Sequence, residues 1–159
     1  MERVGDASPG SAQYRAASQL VDDERRHPLS EHPNVTRTRE YLDTFAKGDL
    51  EALRPFFAED VVWHVAGNHA LSGDYFGQDE LIAYFHEARE LSGGTLTLEP
   101  SSIMANDEHV VVMLRVSGER NGKTLDIEMA EAFTVLPDGT WSEFWAMPDD
   151  QTRVDEFWS

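Results

Sequence analysis

The sequence predicts an α+β fold, with helices first and an antiparallel sheet after them. Two stretches before residue 95 carry apolar residues at helical spacing. Four stretches after it alternate in the manner of strands, and an Asn-Gly pair joins the second and third of these. The helices must cover one face of the sheet, because neither element can bury its apolar side alone.

The elements follow in order. Residues 1–33 read as a flexible tail: they hold Gly5, Pro9, Gly10, Pro28 and Pro33, and only Ser11–Leu20 is rich enough in alanine to form a transient helix. Asn34–Lys47 is the first sustained helix. Asn34 can cap it, Val35, Thr38, Leu42, Phe45 and Ala46 share a face with Tyr41 at its edge, and Gly48 ends it. Asp49 caps a short helix through Leu53, which Pro55 breaks or bends. Val61–Ala66 is a strand and Gly67–Gly77 an irregular loop. Gln78–Ser92 is a helix with Leu81, Ile82, Phe85 and Ala88 inward, ended by Gly93–Gly94. Thr95–Met104, His109–Glu119, Lys123–Leu136 and Thr140–Met147 are four strands with short connections. Asp149–Ser159 reads as a tail that docks through Phe157 and Trp158.

Composition narrows the function. A chain of 159 residues holds one core of moderate size and not two. With 30 acidic and 13 basic residues the formal charge is −17, and the tail takes six of the acids and four of the bases. Residues 34–159 therefore carry −15. Such a surface is repelled by phosphate backbones and by anionic membranes, so neither nucleic acid nor membrane is an expected partner. Cysteine is absent, which removes disulfides, thiolate metal sites and a cysteine nucleophile. No apolar run approaches a membrane span, and the N-terminus has no secretory apolar region, so a cytoplasmic location is expected.

The Asn121–Gly122 pair fixes a register. Asn-Gly between alternating segments specifies a two-residue type I′ hairpin, so Arg120 pairs with Lys123 and partner numbers add to 243. Val116 then faces Ile127, Leu114 faces Met129, Val112 faces Glu131 and Val110 faces Phe133, all on one side of the sheet. Seven of these eight side chains are apolar, and the eighth is Glu131. A carboxyl there must be neutral, paired with a cation, or wetted by a cavity, and desolvation raises its pKa. It is either a pocket-lining acid or a structural carboxyl bonded to a buried Tyr, Trp or His. The opposite side pairs Arg115 with Glu128. The next turn, Leu136–Thr140, leaves two registers open: Glu131 faces Trp145 with Glu143 on its side, or it faces Ala146 with Phe144 on its side.

Trp63 and His64 lie side by side in the first strand and so point to opposite faces. His69 follows in a Gly-Asn-His loop. The pair lacks the helical spacing of a metal site and any nearby third ligand except Asp74, so no metal is expected. A neutral histidine acting as base or hydrogen-bond partner is one reading of these residues; for His69 a solvated loop residue is the other. His86 and His109 read as surface residues, and His27 and His32 fall in the tail. Nothing matches a P-loop, a dinucleotide fingerprint or a nucleophile elbow.

Taken together, YLDTFAKGDLEALRPFFAEDVVWHVAG, GDYFGQDELIAYF, MANDEHVVV, RNGKTLDIE and DGTWSEFWAMPDDQ resemble the SnoaL-like and ketosteroid-isomerase-like proteins of the nuclear transport factor 2-like superfamily, over about residues 34–158. The resemblance implies a cone-shaped curved antiparallel sheet wrapped around N-terminal helices, with an internal pocket, no cofactor and a homodimer formed through the outer sheet face. It also implies proton-transfer isomerase or cyclase chemistry next to a carbonyl of a small, neutral, hydrophobic molecule. Tyr41, seven residues before Gly48, matches the family's oxyanion-hole tyrosine, and Glu131 matches its protonated acid, with Glu for Asp. The position of the family's catalytic base is Val65, so His64 or His69 would have to move the proton. The expected site is therefore Tyr41, His64 and Glu131 as catalytic residues, with Trp63, His69, Val112, Met129, Phe133, Phe144 and Trp145 around the ligand. A non-catalytic ligand-binding or dimeric interaction domain of the same fold is the alternative.

Overall fold

The computed structural model describes residues 31–159; residues 1–30, with most of the expected tail and its Ser11–Leu20 stretch, lie outside the described residues. Helix α1 spans Pro33–Lys47. Its cap is His32, which belongs to the folded part and not to the tail. The His32 ring accepts from the Asn34 N–H at 3.2 Å, and Pro33 fills the first turn, where its missing N–H costs nothing. The Asn34 side chain, expected as the cap, instead donates to the Asn106 carbonyl at 2.9 Å and ties the helix to the sheet. Gly48 closes α1 at φ 73°, a conformation open to glycine, and Arg89 packs over it and donates to its carbonyl. Asp49 accepts from the Ala52 N–H at 3.3 Å and leads into a 3-10 turn over Glu51–Phe56.

Strand β1 runs Phe57–Val65 and β2 runs Gly73–Phe76. The expected irregular loop therefore contains an edge strand, paired antiparallel to β1 from Val62–Phe76 to Val65–Gly73. Four residues without apolar alternation gave no sequence signal for it. Helix α2 spans Gly77–Leu91 and buries Leu81, Ile82, Phe85 and Ala88. Strands β3 (Thr97–Ala105), β4 (His109–Arg120), β5 (Lys123–Val135) and β6 (Trp141–Pro148) follow. The six strands form one curved sheet in the order β2-β1-β6-β5-β4-β3. It is mixed rather than antiparallel throughout, because β1 lies parallel to β6.

The β4–β5 hairpin has the expected register along its whole length, from Arg120–Lys123 to His109–Thr134, with Val112 opposite Glu131. Asn121 at φ 49° and Gly122 at φ 77° make the primed turn. Arg115 sits opposite Glu128 as expected, yet its guanidinium forms a two-pronged bond of 2.6 Å and 2.6 Å to Asp126, the diagonal neighbour that its long side chain reaches. Between β5 and β6, Glu131 faces Ala146 and Phe133 faces Phe144, so the second of the two open registers is the one formed.

The C-terminal segment is a helix, α3, over Gln151–Trp158, not a tail. Asp150 caps it by accepting from the Arg153 N–H at 3.2 Å, and Val154, Phe157 and Trp158 are buried at helical spacing. Arg120 and Lys123, flanking the hairpin turn, hold its last turn by donating to the carbonyls of Phe157 at 3.0 Å and Glu156 at 2.8 Å. The core lies between the helices and the inner sheet face, with Leu53, Phe57, Val61, Leu81, Leu114, Phe133 and Trp141 all but inaccessible. Each such aliphatic or phenyl side chain contributes about 1.5–3 kcal/mol on burial. Among the described residues no helix is long and apolar enough to cross a membrane.

Candidate functional site

The core is incomplete at one end. A cavity of about 190 Å³ opens between α1, α2, α3 and the inner faces of β1, β3, β4, β5 and β6. Its walls are mostly apolar, with Phe45, Leu98, Val116, Leu125, Met129 and Val154 among them. A few polar groups converge on it, the usual composition of a small-molecule site.

Glu131 is the central one. Strand alternation and the Asn121–Gly122 register place it on the inner face, where it is 6% exposed, and its Oε2 has no hydrogen-bond partner. Burial alone raises its pKa to about 7, so the carboxyl is partly protonated at neutral pH. Tyr41, from α1, borders the same cavity, with its ring set edge-on against Phe56, Phe57, Phe133 and Trp141. Burial, the Glu131 charge and Tyr84 raise its pKa, so its hydroxyl remains a donor. Tyr84, from α2, lines the cavity too, and burial, Tyr75 and Glu131 raise its pKa against a smaller opposing effect of Trp63. Trp63 stacks on Phe144 at 3.5 Å between centroids, and its buried indole N–H is unpartnered.

The two histidines go different ways. His64 borders the cavity, but its ring lies on the sheet face opposite Trp63. There it bonds Asp74 at 2.7 Å and Glu143 at 3.0 Å and stacks on Trp145 at 4.7 Å. Burial lowers its pKa, but the bonds to Glu143 and Asp74 outweigh this and raise it. Both ring nitrogens are engaged, so neither is a free base facing Glu131. The carboxylates sit on opposite nitrogens, which rules out shared chelation of one ion. Among the described residues no group of three or more His, Cys, Asp or Glu is arranged to hold a metal.

His69 is the reverse of a solvated loop residue: its side chain is 1% exposed. Nδ1 accepts from the Leu71 N–H at 3.2 Å, so in the neutral ring the hydrogen sits on Nε2. Burial lowers its pKa, only partly offset by Asp155 and the Ala66 carbonyl, so the ring is neutral at pH 7. Nε2 is buried without a hydrogen bond, 3.9 Å from Asp155 Oδ1. Gly67, at φ 102°, allows this arrangement, since a Cβ there would collide with Asp155 and Gln151 of α3. His69 therefore keeps its N–H shut off from solvent near Asp155, and its lone-pair nitrogen is not free to take a proton.

Of the ten residues expected in the site, Tyr41, Trp63, His64, His69, Met129, Glu131 and Phe144 border the cavity, and three do not. Val112 and Phe133 share the Glu131 face but are sealed into the core at 0% and 1% exposure. Trp145 faces outward at 45% exposure, because the β5–β6 register turns Phe144 inward instead. Sequence reasoning missed Tyr84, Gln151, Val154 and Trp158. Tyr84 lies three residues after Leu81 and was within reach of the helical stripe; the α3 residues needed Asp150 read as a cap.

A family model described as the SnoaL-like domain matches residues 38–144. The Mycobacterium tuberculosis protein Rv0034, itself uncharacterised, is 31% identical over 134 residues, covering 82% of this chain and 100% of the relative. Bal32a, from a soil-derived mobile gene cassette, superposes with a TM-score of 0.75 at 28% identity, over 79% of this chain and 96% of that one. A Xanthomonas campestris protein of unknown function with a cystatin-like fold gives 0.75 at 29%, over 80% and 99%.

Proposed function

Since the chain belongs to the SnoaL-like domain family, we propose that its cavity takes a small, neutral, largely apolar molecule carrying a carbonyl, without a cofactor, and that protonated Glu131 donates to the carbonyl oxygen. The observation that carries this reading is the unpartnered Glu131 carboxyl in an apolar cavity. A buried donor without an acceptor costs about 1–3 kcal/mol, and a ligand oxygen recovers that cost. A neutral ligand fits because an anion beside Glu131 and within a chain of charge −17 would be repelled. Tyr41, whose hydroxyl keeps its proton, is the second donor to the oxyanion that develops as a carbonyl enolises.

A pKa of about 7 suits a general acid at neutral pH. Glu131 holds the proton at the carbonyl oxygen while the proton on the adjacent carbon leaves to water, and the reverse steps return the ketone. Water is the acceptor in this scheme because Val65 has no basic group, His64 is paired on the far side of the sheet and the lone-pair nitrogen of His69 is taken by the Leu71 N–H. That same lack of a dedicated base favours a second reading, a binding protein without turnover.

A neutral aromatic ketone, 1-tetralone, separates the two. In heavy water an enzyme accelerates deuterium uptake beside the carbonyl, seen by mass spectrometry, and Glu131→Ala abolishes the acceleration. A carrier binds the ketone saturably with no such uptake. Absence of binding to wild-type protein over millimolar concentrations would overturn the reading as a whole. We further propose that the outer sheet face, where Trp145, Met147 and Met113 are exposed, joins two copies of the chain.

A further inference from the structure

The cavity has a cation at its rim. Among the described residues that border it, Arg89 of α2 is the one lysine or arginine. It is exposed, so its guanidinium meets both the cavity and solvent. The side chain lies from Gly94 toward Gly48: a Cβ on Gly48 would strike the guanidinium, and one on Gly94 would touch Nε. Nη1 donates to the Gly48 carbonyl at the end of α1. That bond uses one of the guanidinium N–H groups and leaves the rest. Arg54 is paired with Glu51 and Asp79, and Arg115 with Asp126. Arg89 has no such carboxylate among the described residues, although the chain holds 30 acids.

Its place relative to Glu131 sets a length. Tyr41 and Tyr84 both sense the Glu131 charge and mark that end of the cavity. Gly48 comes seven residues after Tyr41 along α1, and Arg89 five after Tyr84 along α2. At about 1.5 Å per residue, the rim is about 7–10 Å along the helices from the acid. Phe45 on α1, and Phe85 and Ala88 on α2, line the cavity over that stretch.

The chemistry of Arg89 selects its occupant. A guanidinium has only donors and stays charged, so it asks for an acceptor and repels an ammonium. A carboxylate would have to approach a chain of charge −17 and shed water against apolar walls. An uncharged carbonyl oxygen accepts without either cost.

We infer that the molecule bound in this cavity carries a second, uncharged carbonyl oxygen, about 7–10 Å from the one at Glu131, and that Arg89 donates to it at the rim. The inference rests on the reading of Glu131 given above and adds the ligand class: a neutral diketone with an apolar body between its two oxygens. Arg89 is then a residue that sets specificity, and the bare backbone of Gly48 lets its guanidinium lie where it does.

Calorimetric titration of 6-acetyl-1-tetralone, 6-isopropyl-1-tetralone and 1-tetralone-6-carboxylic acid into wild-type protein and Arg89→Met tests this. The isopropyl ketone has nearly the shape of the acetyl ketone without its second oxygen. The acetyl ketone is expected to bind wild-type protein about fivefold more tightly than either other probe, less than a buried bond to a charged group gives, because Arg89 is exposed. Arg89→Met is expected to bind the acetyl and isopropyl ketones equally. If those two bind wild-type protein alike, or if the preference survives in Arg89→Met, the inference fails while the reading of Glu131 stands. Tighter binding of the acid than of the acetyl ketone would make Arg89 a carboxylate site and overturn the inference as well. If none of the three binds, both fail. Nitrogen-15 NMR of wild-type protein gives an answer that does not depend on the variant folding: the acetyl ketone is expected to shift the Arg89 Nε–H resonance more than the isopropyl ketone does, and equal shifts would overturn the inference.

Discussion

Replacing Glu131 with glutamine removes a proton site while keeping shape and a donor. The wild-type carboxyl has a pKa of about 7 in the fold against 4.5 for an ordinary glutamate, because burial disfavours its charge. The folded protein therefore holds a proton that the unfolded chain releases between these values. Stability from this group is fully present below pH 4.5, falls as pH rises, and is gone above pH 7. At about 1.4 kcal/mol per unit, the loss across that window is about 3 kcal/mol. The group is deeply buried, so solvent screening takes little from this figure. Glu131→Gln does not titrate. It should match wild-type protein at pH 4.5 and exceed it by about 3 kcal/mol at pH 8. Urea denaturation of both proteins at half-unit steps gives the difference directly, and every other titrating group cancels in it. A difference that stays flat from pH 4.5 to 8 would show an ordinary carboxyl and refute the reasoning from burial.

Other perturbations follow from the same structure. His64 has its pKa raised by Glu143 and Asp74 against burial, so its contribution is present below the unfolded value of about 6.5 and is lost as pH rises through the folded value. His64→Gln should therefore cost most near pH 6 and progressively less toward pH 9, and a cost that grows with pH would contradict the pairing. Phe157 is 1% exposed in α3, so Phe157→Ala should cost about 3–5 kcal/mol in urea denaturation, and a cost under 1 kcal/mol would mean that α3 is not docked. Sedimentation should give twice the 17.9 kDa chain mass at micromolar concentration, with Trp145→Glu reducing it to the single mass. A monomeric wild-type protein would remove the outer face from consideration.

The residues revealed some of this more readily than others. The Asn121–Gly122 turn dictates the register of β4 and β5 residue by residue, and with it the inward direction of Glu131, because a primed turn leaves no freedom in pairing. The turn at Leu136–Thr140 has no such chemistry. An irregularity at Thr134–Val135 decides there whether Phe144 or Trp145 meets the cavity. Val112 and Phe133 show a different limit: alternation tells which face a side chain is on, but not where along that face packing ends and cavity begins. The same holds for His64 and His69. That His64 and Trp63 take opposite faces follows from strand period. That His69 is a buried donor depends on one backbone contact from Leu71 and on a helix, α3, that begins 82 residues later in the chain. The edge strand β2 has four residues and one neighbour, too little pattern to signal itself.

The central claim is that a neutral ligand is held by the protonated form of Glu131. Carbon-13 NMR of the side-chain carboxyl, titrated with and without saturating 1-tetralone, tests it most directly. Free protein should show a midpoint of about 7, and bound ligand should move it upward, since a ligand that binds only the protonated form stabilises that form. A midpoint near 4.5 in the free protein, or one that the ketone leaves unchanged or lowers, would contradict it.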